Sequence, residues 1–210
     1  MSSKSDQYAR QAGDWTENAY VDAVAYLAHR ADLIATLGPR LEPGEEVLDL
    51  ACGDAGLGEL LVARGFRYRG VDATPEMAAE AQRRLGDRAP VEIGDLNEYT
   101  PPDRVAATTV FRAIYYARDR RAFFAHVAAF TEKKLVLDLN PRQYRLDDVV
   151  ADLRAAGFDR VQLRPFFVPQ TVALPRVVAT GAKALERSGP LARLALRFRF
   201  TYLVAASRQY

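Results

Sequence analysis

The sequence predicts a doubly wound α/β fold. Three observations carry that expectation. Short apolar runs alternate with stretches of helical periodicity along most of the chain, glycine and proline mark the joins, and three successive runs end in an aspartate. Runs of this kind suit parallel strands buried on both faces. They are expected at Glu46–Ala51, Tyr68–Asp72, Val91–Gly94, Ala106–Phe111, Leu135–Leu139, Val161–Val168 and Phe198–Ala206.

The helices follow from their apolar spacing and their stops. Val21, Val24, Leu27, Ile34 and Leu37 outline an amphipathic helix ahead of the first strand, broken at Gly38-Pro39. Leu57, Leu60 and Leu61 share one face of the next, which Gly65 can end in the left-handed conformation. Thr74 and Pro75 open a third helix, closed by Gly86. Arg121–Phe130 forms a fourth, and Val149, Val150 and Leu153 stripe a fifth that Gly157 closes. Residues 169–197 break the alternation. They hold many apolar side chains, Glu186 as their one acid, and the interruptions Pro175, Gly181 and Gly189-Pro190. A connection this long inside a compact domain usually has a function.

Composition narrows the class. The chain has 210 residues, 49% apolar and 27% charged, which suits one soluble domain. No apolar run reaches the ~18 residues of a membrane span, and no secretory stretch opens the sequence. With Cys52 as the one cysteine, a reducing, cytoplasmic setting is expected. His29 and His126 lie far from each other and from Cys52, so no metal set is expected. Charge is uneven: residues 1–141 carry 17 basic and 22 acidic residues, and 142–210 carry 12 and 5. Arginines solvating helix faces explain that balance more simply than a nucleic-acid partner does.

The chemistry concentrates at Val47-Leu48-Asp49-Leu50-Ala51-Cys52-Gly53-Asp54-Ala55-Gly56-Leu57-Gly58. A strand ends in an acid, small residues follow, and a helix begins. Small residues let a ligand approach the backbone, and a helix start favours negative groups. Asp72 closes the next strand at about the separation from Asp49 where nucleotide-binding α/β folds place a ribose acid, ~20 residues on. A dinucleotide fingerprint is excluded by the order Gly53-x-x-Gly56-x-Gly58.

The segment resembles motif I of the class I methyltransferases, with alanine at Ala51 and Ala55 where that family favours glycine. Gly70-Val71-Asp72-Ala73-Thr74 and Ile93-Gly94-Asp95-Leu96 resemble its second and third strand ends. The resemblance covers residues 45–140. It implies a mostly parallel seven-stranded sheet with an antiparallel last strand, helices on both faces and a helical insertion before that strand. It implies S-adenosylmethionine as cofactor, with Asp72 on the ribose hydroxyls, Asp95 on the adenine amino group, Leu96 donating to the ring and Met77 on the adenine face. Asp49, Ala51, Cys52, Gly53, Gly56, Ala73, Phe111, Arg112 and Tyr116 complete the expected cofactor set. An ordinary negative φ is expected at Ala55 unless Gly56 takes the tight turn.

Substrate residues belong on the loops beyond the carboxyl ends of the strands, which points to Tyr115, Asn140 and Arg142. Tyr8, Trp15 and Tyr20 of the N-terminal segment can fold over the cofactor's methionine end. For a hydroxyl acceptor, His29 or Asp138 is the candidate base. The domain divides into an N-terminal cover (1–40), a cofactor core (41–168), the insertion (169–197) and the last strand (198–210). The expected activity is methyl transfer to O, N or C of a small molecule. An RNA or protein methyltransferase and a non-catalytic S-adenosylmethionine-binding protein are the alternatives. The insertion is expected to cap the substrate pocket, with membrane-surface association second and a dimer contact third. The chain is expected as a monomer or homodimer.

Overall fold

The computed structural model describes residues 13, 15–140, 142–167, 172, 175–189 and 201–208. In chain order it runs α1 (Trp15–Ala19), α2 (Ala23–Thr36), β1 (Glu46–Leu50), α3 (Gly56–Ala63), β2 (Arg67–Asp72), α4 (Pro75–Leu85) and β3 (Val91–Ile93). There follow β4 (Val105–Val110), α5 (Arg120–Phe130), β5 (Thr131–Leu139), α6 (Leu146–Ala155), β6 (Arg160–Pro165), α7 (Arg176–Glu186) and β7 (Tyr202–Ser207). All seven expected strands form, each within a few residues of its expected ends; Val168 and Phe198–Phe200 lie outside the described residues.

The strands make one sheet in the order β3-β2-β1-β4-β5-β7-β6. The first five pair in parallel, and β7 runs antiparallel between β5 and β6. The order reverses between β1 and β4, and in open α/β sheets that reversal opens a crevice beyond the carboxyl ends. One face packs against α2, α3 and α4 through Ile34, Leu61, Ala81 and Leu85. The other packs against α5 and α6 through Phe123, Phe124, Val127, Val149 and Leu153.

Local chemistry accounts for the helix ends. Asp22 caps α2 by accepting from the Ala25 N–H, and Asp119 caps α5 by accepting from the Ala122 N–H. Thr74 stands at the cap of α4 without a side-chain cap bond, while Asp72 takes the Thr74 N–H. At the far end of α2 the buried Lys134 ammonium donates to the Leu37 carbonyl at 2.7 Å, the position where a helix favours a cation. Val21 and Val24 do not face the core as their spacing suggests; they are 62% and 74% exposed. Helix α2 starts later than the apolar stripe, and its buried face runs through Tyr26, Leu27, Arg30, Ala31, Leu33 and Ile34.

The loop after β1 also differs from the expectation. Ala51 and Ala55 both take left-handed backbone, at φ 60° and 56°, and Gly56 is already helical. An L side chain in that region costs ~1–2 kcal/mol. Ala51 is half-buried and gives up little packing on truncation. Ala51→Gly is therefore expected to raise Tm by about 2–4 °C, the shift ~1 kcal/mol produces in a domain of this size. Thermal unfolding followed by circular dichroism checks it; an unchanged or lower Tm would show that the loop carries no relievable strain.

Candidate active site

A cavity of about 380 Å³ opens beyond the carboxyl ends of β1–β4, at the reversal of strand order. Asp49 forms its floor. Its carboxylate is gripped from both neighbouring strands: Tyr68 Oη donates to Oδ2 at 3.0 Å, and Thr109 Oγ1 to Oδ1 at 2.6 Å. Burial dominates and pushes Asp49 up to about 6, against the pull of those two bonds and of the Arg30 guanidinium. Two glycines let this grip form. A Cβ at Gly58 would sit 2.6 Å from Tyr68 Cζ, and one at Gly70 would sit 3.0 Å from Cys52 Sγ.

Asp72 and Asp95 follow along the same cavity. Asp72 Oδ2 accepts from the Gly53 N–H and Oδ1 from the Thr74 N–H, both at 2.9 Å, and each oxygen keeps acceptor capacity toward the cavity. Burial pushes its pKa up, and those backbone bonds oppose the shift. Asp95 is more engaged. Its Oδ1 takes the Asn97 backbone and side-chain N–H groups at 2.8 and 2.7 Å, and its Oδ2 takes Arg118 at 2.5 Å. Partial burial works against ionisation there, but Asn97 and Arg118 together hold the group below the ordinary carboxylate range.

The roof is N-terminal. Asp54, almost fully buried, accepts from the Thr16 N–H at 2.9 Å, from Thr16 Oγ1 at 2.6 Å and from Arg84 at 3.0 Å. A Cβ on Gly56 would meet Thr16 Oγ1 at 2.3 Å, so glycine there lets α1 seat on the loop. Tyr20, Leu27 and Arg30 continue the cover along α2. Phe111, Ala113, Tyr115 and Tyr116 also line the cavity, around Arg112 in left-handed backbone at φ 54°.

The cavity brings together Asp49, Ala51, Cys52, Gly53, Gly56, Asp72, Ala73, Met77, Asp95, Leu96, Phe111, Arg112 and Tyr116, with Tyr20 and Tyr115. Asn140 and Arg142 do not line it; Asn140 Oδ1 instead accepts from the Arg142 N–H. Tyr8 and the Trp15 side chain lie outside the described residues. His29 is 1% exposed, away from the cavity, and its Nε2 lies 2.6 Å from Glu186 Oε2. Asp138 sits behind the wall, accepting from Arg30 at 3.1 Å and from the Arg112 N–H at 2.7 Å. Burial, with Asp49 and Asp72 nearby, pushes the Cys52 thiol well above its usual range, which fits packing and not nucleophilic chemistry.

No side chain from the described part of 169–197 enters the cavity. Helix α7 instead meets α2 through its last residue, Glu186. Glu186 is its buried anchor, meeting His29 and accepting from the Phe167 N–H at 2.7 Å. Val177, Val178 and Leu185 face outward. Among the described residues no helix is long and apolar enough to cross a membrane, and no cluster could hold a metal ion. Sequence reasoning missed Thr16, Arg30, Asp54 and Asn97. A polar or charged residue inside an apolar helix stripe was the one available hint, and it pointed at Arg30.

Fold and cavity define an α/β protein with a cavity at the switch point of its sheet. Residues 47–134 match the family described as a methyltransferase domain. No curated protein matches the sequence. Among solved structures, the fold is similar to that in the complex of the Haloferax volcanii Trm112 methyltransferase activator with a putative methyltransferase: TM-score 0.70, 19% identity, 97% of this chain and 98% of that one. A TehB-like S-adenosylmethionine-dependent methyltransferase of Corynebacterium glutamicum matches at TM-score 0.65 and 17% identity, over 98% of each chain. Phosphoethanolamine N-methyltransferase 2 of Haemonchus contortus, solved with S-adenosylmethionine, matches at 0.68 and 16%, over all of this chain and 61% of that one. The match to a methyltransferase domain thus covers residues 47–134, and the chain shares its fold with these solved structures.

The raised pKa of Asp49 has a signed consequence. A carboxyl whose folded pKa lies above its unfolded value favours folding while protonated. That contribution is complete below pH ~4 and is lost as pH rises to about 6. A shift of this size corresponds to roughly 2–3 kcal/mol. Asp49→Asn removes the ionisation, so the stability difference between variant and wild type should grow in the variant's favour from pH 4 to 6 and stay level above 7. Urea unfolding across that range measures it. A difference independent of pH would mean that Asp49 titrates normally.

Proposed function

We propose that this enzyme moves the methyl group of S-adenosylmethionine to a nucleophilic O, N or C atom of a small molecule. The observation that carries the reading is the shape of the site. The three strand-end aspartates and the aromatic wall of Tyr20, Phe111 and Tyr115 share one cavity, covered by α1 and α2. An acceptor must therefore enter the same covered chamber as the cofactor, which suits a small molecule better than a folded RNA or protein.

The residues fit the cofactor. Asp72 offers acceptor capacity on both oxygens, which suits two adjacent ribose hydroxyls. Asp95 has three of its roughly four acceptor positions filled, which leaves room for one adenine amino donor. Met77 supplies an apolar side chain at the same wall. When bound, the cofactor supplies an electrophilic methyl on a sulfonium. The chain's own work is to orient the two reactants in line and to exclude water. Alignment of that kind is worth ~7–11 kcal/mol. His29 and Asp138 are placed to position groups, not to take a proton, because both are committed to partners behind the wall. Tyr26 is equally unsuited as a base, since burial pushes it up to about 12.

Two measurements test the reading. Asp72→Ala removes charge-assisted hydrogen bonds worth ~1.5–3 kcal/mol, so calorimetry should find S-adenosylhomocysteine bound at least about tenfold more weakly by a folded variant. Methyl-labelled S-adenosylmethionine incubated with cell extract should place label in the small-molecule fraction. Label confined to RNA or protein would overturn the assigned substrate class.

A further inference from the structure

The wall over β4 and β5 holds a cation that the methyl-transfer reading leaves unused. Arg30 is 2% exposed, yet it lines the cavity. One of its terminal nitrogens donates to Tyr26 Oη at 2.9 Å and to Asp138 Oδ2 at 3.1 Å. Its Nε is buried and has no hydrogen-bond partner among the described residues. A buried donor without an acceptor is costly, and guanidinium donors are matched best by a planar oxyanion taken two-pronged. Arg30 lines the cavity, so a ligand bound there is the candidate acceptor.

The surroundings favour a flat group. Phe111 stacks against the guanidinium with its ring centroid 4.2 Å from Cζ, and the Tyr26 ring lies 5.0 Å away. Tyr20 stacks on Tyr26 at 4.4 Å. The charges point the same way. Asp138 is the one acid paired with Arg30, and it also serves the Arg112 N–H. Asp49 interacts with Arg30 at longer range, but it faces the centre of the sheet, where a cationic cofactor would add positive charge. Asp72 and Asp95 lie on the opposite side of β1, so an anion at Arg30 avoids both.

We propose that Arg30 is the anchor for a carboxylate on the methyl acceptor, held in the aromatic slot over β4 and β5 while the nucleophilic atom reaches toward the centre of the cavity. This rests on the methyltransferase reading, and the test separates the two. Protein saturated with S-adenosylhomocysteine is titrated with benzoate and with neutral benzamide, followed by NMR shifts. Benzoate should bind saturably and benzamide at least tenfold more weakly. Arg30→Lys, which keeps the charge and loses the fork, should weaken benzoate at least tenfold and leave S-adenosylhomocysteine within twofold. Arg30→Met/Asp138→Asn removes both buried charges together and should abolish benzoate binding while the fold survives. Benzoate bound no better than benzamide would overturn the proposal. Parallel loss of S-adenosylhomocysteine in Arg30→Lys would overturn it too, by assigning Arg30 to the cofactor's own carboxylate. A wild-type protein that fails to bind S-adenosylhomocysteine would bring down the methyltransferase reading first, and this proposal with it.

Discussion

A carboxylate buried at the centre of the sheet constrains everything around it. Asp49 stands on β1, flanked by strands on both sides, where ionisation is opposed by desolvation. It is tolerated because Tyr68 and Thr109 each bring a hydroxyl to it from a neighbouring strand. Those hydroxyls need the parallel register that sets Asp49 beside Gly70 and Thr109. They also need the absence of side chains at Gly58 and Gly70, where a Cβ would press on the Tyr68 ring at 2.6 and 3.2 Å. The glycine spacing of the loop and first helix turn therefore serves the floor of the site as much as any ligand. The left-handed turns at Ala51, Gly53 and Ala55 carry the chain round this floor and aim the Gly53 N–H at Asp72.

The fold was legible because its determinants are local. Short apolar runs are a property of local windows, and all seven mark strands in the structure. The three strand-end aspartates were legible for the same reason, and the parallel order brings them to one cavity. What was not legible depends on partners distant in sequence. Asp54 sits in the motif itself, but its role as the seat for Thr16 spans 38 residues. Arg30 and Asp138 meet across 108, and His29 and Glu186 across 157. Periodicity sees Arg30 only as a polar break in an apolar helix face.

Two local rules also failed, each for a physical reason. Steric preference argues against left-handed alanine, yet the loop geometry imposes it at two positions, because the chain must leave β1 and enter α3 within five residues. The apolar stripe of the N-terminal helix runs one turn too early, because Asp22 caps α2 and leaves Val21 outside it. At the two alanines the tertiary constraint outweighs a local preference worth at most a few kcal/mol.

Helix α2 joins two halves of the molecule that the sequence keeps apart. His29 and Arg30 are neighbours, yet they serve different partners. His29 stacks on Phe166 and meets Glu186 of α7, while Arg30 turns to the cavity and to Asp138. Phe166 touches both, with its ring 5.1 Å from His29 and 5.8 Å from the Arg30 guanidinium. Helix α7 thus reaches the wall that holds Arg30, and no side chain of the insertion's described residues lines the cavity. It fixes the helix that carries the cation, through one buried carboxylate that also holds the chain leaving β6 at Phe167. The outward residues Val177, Val178 and Leu185 take no part in that contact. The single acid of a basic segment is its most buried described side chain: exposed, it would only balance charge, but buried it ties α7 and the chain leaving β6 to one helix.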